Sequence, residues 1–121
     1  MRVLHISYSD LAGGASVSAF RLHQALRAAG VDSSMLVAKR VSDDPHVVQH
    51  RKFGSKWSRA LRSQIEPRYI RWSAGGQVRQ FSIGAMGGVG GDQIAQLAPD
   101  IINLHWVSGG FVSIGDIARL P

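Results

Sequence analysis

Hydrophobic and polar positions repeat along this chain with two different periods. Residues 2–7 form a short apolar run followed by the polar, glycine-rich residues 8–14, which predicts a buried strand and then a turn. Beyond the turn, residues suited to one face of a helix recur at spacings of three and four, namely Ala15, Ala19, Leu22, Leu26 and Ala29. We therefore predict a helix over about 15–29, with Ser16 as a cap near its start and Gly30 as its stop.

The alternation of strands and helices continues through the chain. We predict further strands over 34–38, 47–48 and 100–104, and helices over about 92–98 and 113–119. Such alternation is typical of an α/β fold, here a Rossmann-like parallel sheet with flanking helices. With the strand order three-two-one-four, the turn at 8–14 and the loop at 105–110 would share one crevice at the carboxyl ends of the strands.

The middle of the chain, residues 51–80, is predicted to be a basic helical insertion. Seven of the chain's 14 lysines and arginines lie between residues 51 and 71 with Glu66 as the single acid, so this segment carries a formal charge equal to the +6 of the whole chain. Ser55 is a candidate cap for a helix in this segment. Residues 84–91 contain five glycines and predict a loop.

The basic segment leaves two hypotheses open. With Trp57, Tyr69 and Trp72 among its cations, it is compatible with an amphipathic helix on an anionic membrane, with Lys56, Arg59 and Arg62 facing the lipid. A solvated basic face with its aromatic side chains in the core explains the same pattern. No zinc-finger, RRM or KH signature accompanies the charge, so we do not expect a nucleic-acid partner.

Length and composition limit the class of protein. At 121 residues the chain is expected to form one domain, and 45% hydrophobic against 18% charged residues is typical of a folded globular protein. The absence of cysteine excludes disulfides, thiolate metal sites and cysteine nucleophiles. The sequence contains no signal-peptide core. It also contains no apolar run near the roughly 18 residues needed to span a bilayer, and we therefore expect a cytoplasmic protein.

The remaining histidines and acids give no catalytic pattern. His5, His23, His46 and His50 lack metal-ligand spacing, and we expect them to be structural or exposed. No two carboxylates are spaced for acid and base catalysis. We therefore expect no metal cofactor, and the sequence assigns no catalytic residue.

Gly13 and Gly14 stand between the first predicted strand and the first predicted helix. Free backbone N–H groups and the helix dipole favour an anion there, and the missing side chains permit close approach, so these two glycines are a candidate phosphate site. A tight strand-to-helix turn is the alternative explanation. The dinucleotide fingerprint G-x-G-x-x-G is absent, and Lys39-Arg40 follow the second strand where an acid is expected, which disfavours a nucleotide-dependent oxidoreductase.

His105 and Trp106 follow the last predicted strand. At the carboxyl end of a strand an imidazole can hydrogen-bond a sugar hydroxyl or a phosphate, and an indole can stack on a sugar face. The structural alternatives are that Trp106 packs under the loop and that His105 holds backbone carbonyls. We expect a ligand role for both residues.

Two stretches resemble the amino-terminal domain of GT-B glycosyltransferases of the family-four type, in the colanic-acid-like branch that builds bacterial surface polysaccharides. The first comprises residues 2–7 with Gly13-Gly14-Ala15 and Arg21-Leu22. The second, which is more specific, comprises residues 99–106 with Gly109-Gly110-Phe111. Phe81-Ser82 and the basic region before them are also similar, so the resemblance extends over nearly the whole chain.

This resemblance implies a two-domain enzyme that transfers a sugar from a nucleotide-sugar donor to a saccharide or lipid-linked acceptor, with retention and without a metal. Gly13 and Gly14 would approach the donor diphosphate, and His105 and Trp106 would line the acceptor side. The histidine-bearing strand and the acidic donor-binding domain typical of the family are missing, so we expect residues 1–121 to be an incomplete amino-terminal half of a GT-B fold, inactive alone. A non-catalytic Rossmann-like binding module, held at the inner face of the membrane by its basic helix, is the alternative.

Overall fold

The computed structural model describes residues 1–50, 91–107 and 111–120. The strands are β1 (Arg2–Ser9), β2 (Asp32–Lys39), β3 (Val47–Gln49) and β4 (Ile101–Leu104), and the helices are α1 (Gly14–Ala28), α2 (Gly91–Leu97) and α3 (Ile114–Ile117). The predicted basic insertion at 51–80, including Lys56, Arg59 and Arg62, and the predicted glycine-rich loop up to residue 90 lie outside the described residues. Within the described ranges, none of the helices has both the length and the hydropathy that a membrane span requires.

Within the described ranges, the four strands form one sheet in the order β3-β2-β1-β4, and every neighbouring pair is parallel. This is the order under which the turn at 8–14 and the loop at 105–110 were expected to share one crevice. The long central strands β1 and β2 pair from Arg2 opposite Asp32 to Ser9 opposite Lys39, and β1 extends two residues beyond the predicted end at Ser7. Parallel pairing brings the carboxyl ends of all four strands to one edge, as an α/β Rossmann-like fold requires.

The two faces of the sheet differ in polarity. One face carries Leu4, Ile6 and Leu36, which pack with Ile94 of α2 and with Phe111 in the main hydrophobic cluster. Because successive side chains of a strand point to opposite faces, the residues between them lie on the other face, under α1. That second face buries a smaller apolar cluster of Ala19, Met35, Val37 and Val47 beside the buried polar residues His5, Ser7, Ser9, Ser33 and His23.

Helix α1 confirms the predicted range to within one residue but buries a different face. Ala19 of the predicted stripe is buried, but Ala15, Leu22 and Ala29 are exposed, and the other buried residues of α1 are Ser16 and His23. The physical reason is the polar sheet face below: the His23 Nδ1 and Ser33 Oγ atoms are 2.8 Å apart in a buried hydrogen bond. A stripe chosen by hydropathy is therefore displaced by one residue.

The ends of α1 are set by two glycines. Gly13 is the N-cap residue and no side chain caps the helix, so the prediction of Ser16 as its cap is wrong. At the other end Gly30 adopts a φ of 80° and confirms the predicted stop. The N–H groups of Gly30 and Val31 donate to the carbonyls of Arg27 and Leu26 at 2.9 Å each, which is the Schellman arrangement.

The remaining elements agree with the predictions apart from their boundaries. Helix α2 spans Gly91–Leu97, so it begins and ends one residue earlier than the predicted range of 92–98. Helix α3 is shorter than the predicted 113–119, and its N-cap Ser113 forms a capping box with Asp116.

Asp10 joins the end of β1 to the connection between β2 and β3. Its buried carboxylate accepts the backbone N–H groups of Val41 at 2.9 Å and Ser42 at 2.7 Å, and that of Leu11 at 3.0 Å. Burial alone would raise the pKa of Asp10, but the hydrogen bonds from Ser42 and Val41 outweigh it and hold the pKa below its usual range. The two loops are thus fixed against each other at the carboxyl edge of the sheet.

Candidate functional site

The two loops predicted to share a crevice lie together at the carboxyl edge of the sheet. Beyond the last paired residues of β4, the N–H of His105 donates to the Ile6 carbonyl at 2.9 Å, and the N–H of Tyr8 donates to the Trp106 carbonyl at 2.7 Å. The parallel ladder between β1 and β4 therefore continues as far as Trp106. This pairing fixes the backbone of Trp106 beside the strand that leads into Gly13 and Gly14.

A depression of about 310 Å³ lies between these loops. Its lining consists of Ala12, Gly13, Gly14, Ala15, Ser16 and Trp106. This volume is at the lower end of the range of roughly 300–1,000 Å³ found for small-molecule sites. Among the described residues, the lining combines the amino-terminal turn of α1 with one large aromatic side chain, that of Trp106.

The amino terminus of α1 is suited to an anion. The helix has 15 residues, no side-chain cap and no acidic residue in its first turn, so no described residue compensates its free N–H groups and its positive dipole end. Gly13 has a φ of 95° and a ψ of 159°, a conformation essentially confined to glycine. The turn explanation therefore accounts for Gly13.

Gly14 has no such conformational reason to be glycine. It does not have a positive φ, and a Cβ added to it would meet no atom within 4 Å. Neither packing nor backbone strain in the described structure excludes a side chain at this position. The remaining explanation for glycine at position 14 is that it allows a ligand to approach the backbone closely.

Trp106 and His105 occupy different positions. Trp106 is 59% exposed and lines the depression, so the alternative that it only packs under the loop is wrong. His105 is half-buried and is not among the residues of the lining. Its side chain lies on the polar face beneath α1, where its Nε2 atom is 2.9 Å from Nδ1 of His5. His105 thus holds another side chain rather than a backbone carbonyl.

His5 and His23 extend this contact under α1. The rings of His5 and His105 are stacked with centroids 5.2 Å apart, and the His23 ring lies edge-on to His5 at 6.1 Å. His23 Nε2 is 3.7 Å from an Asp44 carboxylate oxygen. His5 and His23 are completely buried, as expected for structural histidines, but their mutual arrangement was not predicted.

The three histidines are held in their neutral forms. Burial, followed by the charges of His105 and His23, lowers the pKa of His5 to about 4. Burial also lowers the pKa of His105. The pKa of His23 is lowered by burial as well, although Asp44 opposes the effect. Near neutral pH these imidazoles therefore act through hydrogen bonds and carry no positive charge.

The depression offers binding groups and no acid or base. Among the described residues of its lining, none has a titratable side chain, and no group of three or more histidine or acidic side chains in the described ranges is placed to hold a metal ion. Backbone N–H groups can hold phosphate oxygens, and the Trp106 indole can stack on an apolar sugar face. The described part of the site is equipped to hold a ligand.

The sequence identified the residues of the depression and missed the layer beneath it. Gly13, Gly14 and Trp106 were found because they directly follow strands. The partners of His105 and Ser33 were missed because the sequence pattern does not reveal that the polar positions on this face of the sheet are buried. Comparisons with protein-family models, curated proteins and solved structures found no match, and the architecture itself is that of an α/β protein with an all-parallel, Rossmann-like sheet.

Proposed function

We propose that this chain is the amino-terminal, acceptor-side part of a glycosyltransferase. The enzyme would transfer a sugar from a nucleotide-sugar donor to a saccharide or lipid-linked acceptor in surface polysaccharide synthesis. The observation that carries the proposal is the depression in which the uncapped start of α1 faces the exposed indole of Trp106. The family-four resemblance of the same two loops supports the assignment to this class of enzyme.

In this proposal the start of α1 holds the donor diphosphate. The free N–H groups of the first helical turn donate to phosphate oxygens, and the dipole of α1 adds a favourable field of typically about 0.3–1 kcal/mol for an exposed anion. The open space above Gly14 allows a phosphate to approach the backbone. Trp106 lies across the same depression and offers a surface for the acceptor sugar.

The described residues of the lining include no acid or base, and in this proposal they have a binding role. The groups that hold the donor sugar and assist transfer would come from a carboxyl-terminal domain. A site with only one of its two walls is expected to bind weakly, with a Kd on the order of 1 mM, which corresponds to about −4 kcal/mol.

The test is a titration of the ¹⁵N-labelled chain with UDP, GDP and inorganic pyrophosphate, which share a diphosphate. We expect the amide signals of Gly13, Gly14 and Ala15 to shift at millimolar ligand, and the Trp106 indole signal to respond to the nucleotides. The Gly14→Ala variant, whose added methyl group meets no protein atom, should fold normally and lose most of this response. Unchanged amide signals with all three ligands, or an equal response in the variant, would contradict the proposed site.

A second measurement tests the claim that the chain is only part of an enzyme. Incubated with radiolabelled nucleotide-sugars and mixed saccharide acceptors, the isolated chain should transfer no label above the background of a heat-denatured sample. Efficient transfer by this chain alone would show that the described depression is not half of a larger site.

A further inference from the structure

The contact between His5 and His105 fixes the position of a proton. The Nδ1 atom of His5 and the Nε2 atom of His105 are 2.9 Å apart, a hydrogen-bond distance. Both rings are neutral near pH 7, since burial lowers the pKa of each. A neutral imidazole has one N–H and one unprotonated nitrogen, so one ring donates and the other accepts.

The surroundings of His5 decide which ring donates. His5 is completely buried, and its Nε2 atom has no hydrogen-bond partner among the described residues. If His105 donated, the proton of His5 would have to lie on that Nε2 atom, as a buried N–H without an acceptor. Orphaned buried N–H groups are rarer in proteins than acceptors with unused lone pairs. His5 therefore carries its proton on Nδ1 and donates it to His105.

This arrangement determines what His105 offers to a ligand. We infer that His5 is a positioning residue that holds His105 as the Nδ1–H tautomer, so that His105 presents a neutral hydrogen-bond donor beside Trp106. The Nε2 lone pair of His105 is occupied by His5. The ring of His105 is half-buried, and its Nδ1 atom makes no hydrogen bond within the described residues and is not among their buried unpartnered atoms. This N–H can donate to an oxygen atom of a ligand.

A protonated Nδ1 atom excludes a different role for His105. A histidine that removes a proton from an acceptor hydroxyl needs an unprotonated nitrogen facing that hydroxyl. In the Nδ1–H tautomer the available nitrogen of His105 is already protonated, and the unprotonated one faces His5. His105 therefore orients an oxygen of the ligand and does not act as the general base.

His5 is a costly residue for a purely structural role. A buried nitrogen without a partner opposes folding. The lowered pKa of His5 opposes folding below about pH 6.5, and a leucine of similar size would remove both effects. The donor assigned to His105 can be measured without any ligand. Only its use on a saccharide or phosphate oxygen rests on the proposed function, which the diphosphate titration tests separately.

The experiment is the ¹⁵N spectrum of the histidine side chains in the labelled chain at pH 7, without ligand. We expect Nδ1 to be the protonated nitrogen and Nε2 the unprotonated one in both His5 and His105. In His5→Leu no donor faces His105, which should shift toward the Nε2–H form that neutral histidine favours in water. In His5→Asn an amide N–H can replace the imidazole donor, so the signals of His105 should remain close to those of the unmodified chain.

Two outcomes would overturn the inference. The first is a protonated Nε2 on His105 in the unmodified chain, which can be read without any variant and so does not depend on whether His5→Leu folds. The second is a His105 tautomer that is the same in the unmodified chain, in His5→Asn and in a folded His5→Leu. A His46→Asn control should leave the signals of His5 and His105 unchanged, because no hydrogen bond joins the His46 side chain to either.

Discussion

At the scale of single residues, the two adjacent glycines at the start of α1 have different reasons to be glycine. Gly13→Ala should destabilise the fold by about 1–3 kcal/mol, because the φ of 95° and ψ of 159° exclude a Cβ. Gly14→Ala should leave stability unchanged or raise it by about 0.5 kcal/mol, since the methyl group enters open space at a helical position. Urea unfolding of the two variants measures both effects. A large loss of stability in Gly14→Ala would favour a structural reason for this glycine.

The buried histidines predict how stability depends on pH. His5 has a pKa of about 4 in the folded chain and about 6.5 when unfolded, so the unfolded chain binds more protons between these values. The contribution of neutral His5 to the free energy of unfolding is complete above pH 6.5. It is lost as the pH falls toward 4, by about 3 kcal/mol in all. The lowered pKa values of His23 and His105 act in the same direction.

Urea unfolding at pH 7, 5.5 and 4.5 measures this dependence. His5→Leu should reduce the loss of stability on acidification and should be at least as stable as the unmodified chain at pH 5.5. His46→Gln is the matched control, because it removes a histidine that is only half-buried and should keep most of the slope. A stability that does not change between pH 7 and 4.5 would contradict neutral burial of His5.

At the scale of elements, the end of α2 contains a strained residue. Ala98 follows the helix with a φ of 42°, the only positive φ of a non-glycine residue in the described ranges. The left-handed conformation costs an L-residue roughly 1–2 kcal/mol, so Ala98→Gly should stabilise the fold by about 1 kcal/mol after the added entropy of glycine in the unfolded chain is subtracted.

The control for this prediction lies one turn earlier. Ala95 is exposed in the interior of α2, where glycine should destabilise by about 1 kcal/mol. The two alanine-to-glycine changes should therefore move the thermal midpoint in opposite directions. A lower midpoint for Ala98→Gly would mean that the left-handed residue is not the end of the helix in solution.

Local patterns predicted the elements well and their contacts poorly. The strands and the range of α1 were predictable because apolar periodicity and glycine stops act within a few residues, whereas the strand order depends on pairing between distant segments. The buried face of α1 was not, since it depends on the hydrogen bond of His23 to Ser33 on another element. The contact of His5 with His105 joins residues 100 positions apart. The depression was predictable because parallel strands end at a common edge, but the role of His105 was set by a partner that no local pattern reveals.

At the scale of the whole molecule, the described residues place the candidate site on a firmly connected edge of the sheet. The ladder between β1 and β4 continues to Trp106, and Asp10 fixes the turn before α1 to Val41 and Ser42. One side of the depression is therefore held by backbone pairing and the other by a buried carboxylate. We expect such a site to change little on ligand binding and to present its N–H groups and its indole in fixed positions.

The uneven distribution of charge makes a prediction for the whole chain. The formal +6 is concentrated between residues 51 and 71, and cations near an anionic membrane contribute about 1 kcal/mol each. The membrane hypothesis therefore predicts that the chain sediments with vesicles rich in phosphatidylserine at low salt, and less so at 0.5 M salt.

Arg59→Glu with Arg62→Glu should abolish this binding. Arg21→Glu with Arg119→Glu, which changes exposed residues outside the segment and alters the net charge equally, should largely preserve it. Equal losses in the two double variants would indicate a general effect of net charge, and absence of binding or insensitivity to salt would leave the solvated basic face as the explanation of the segment.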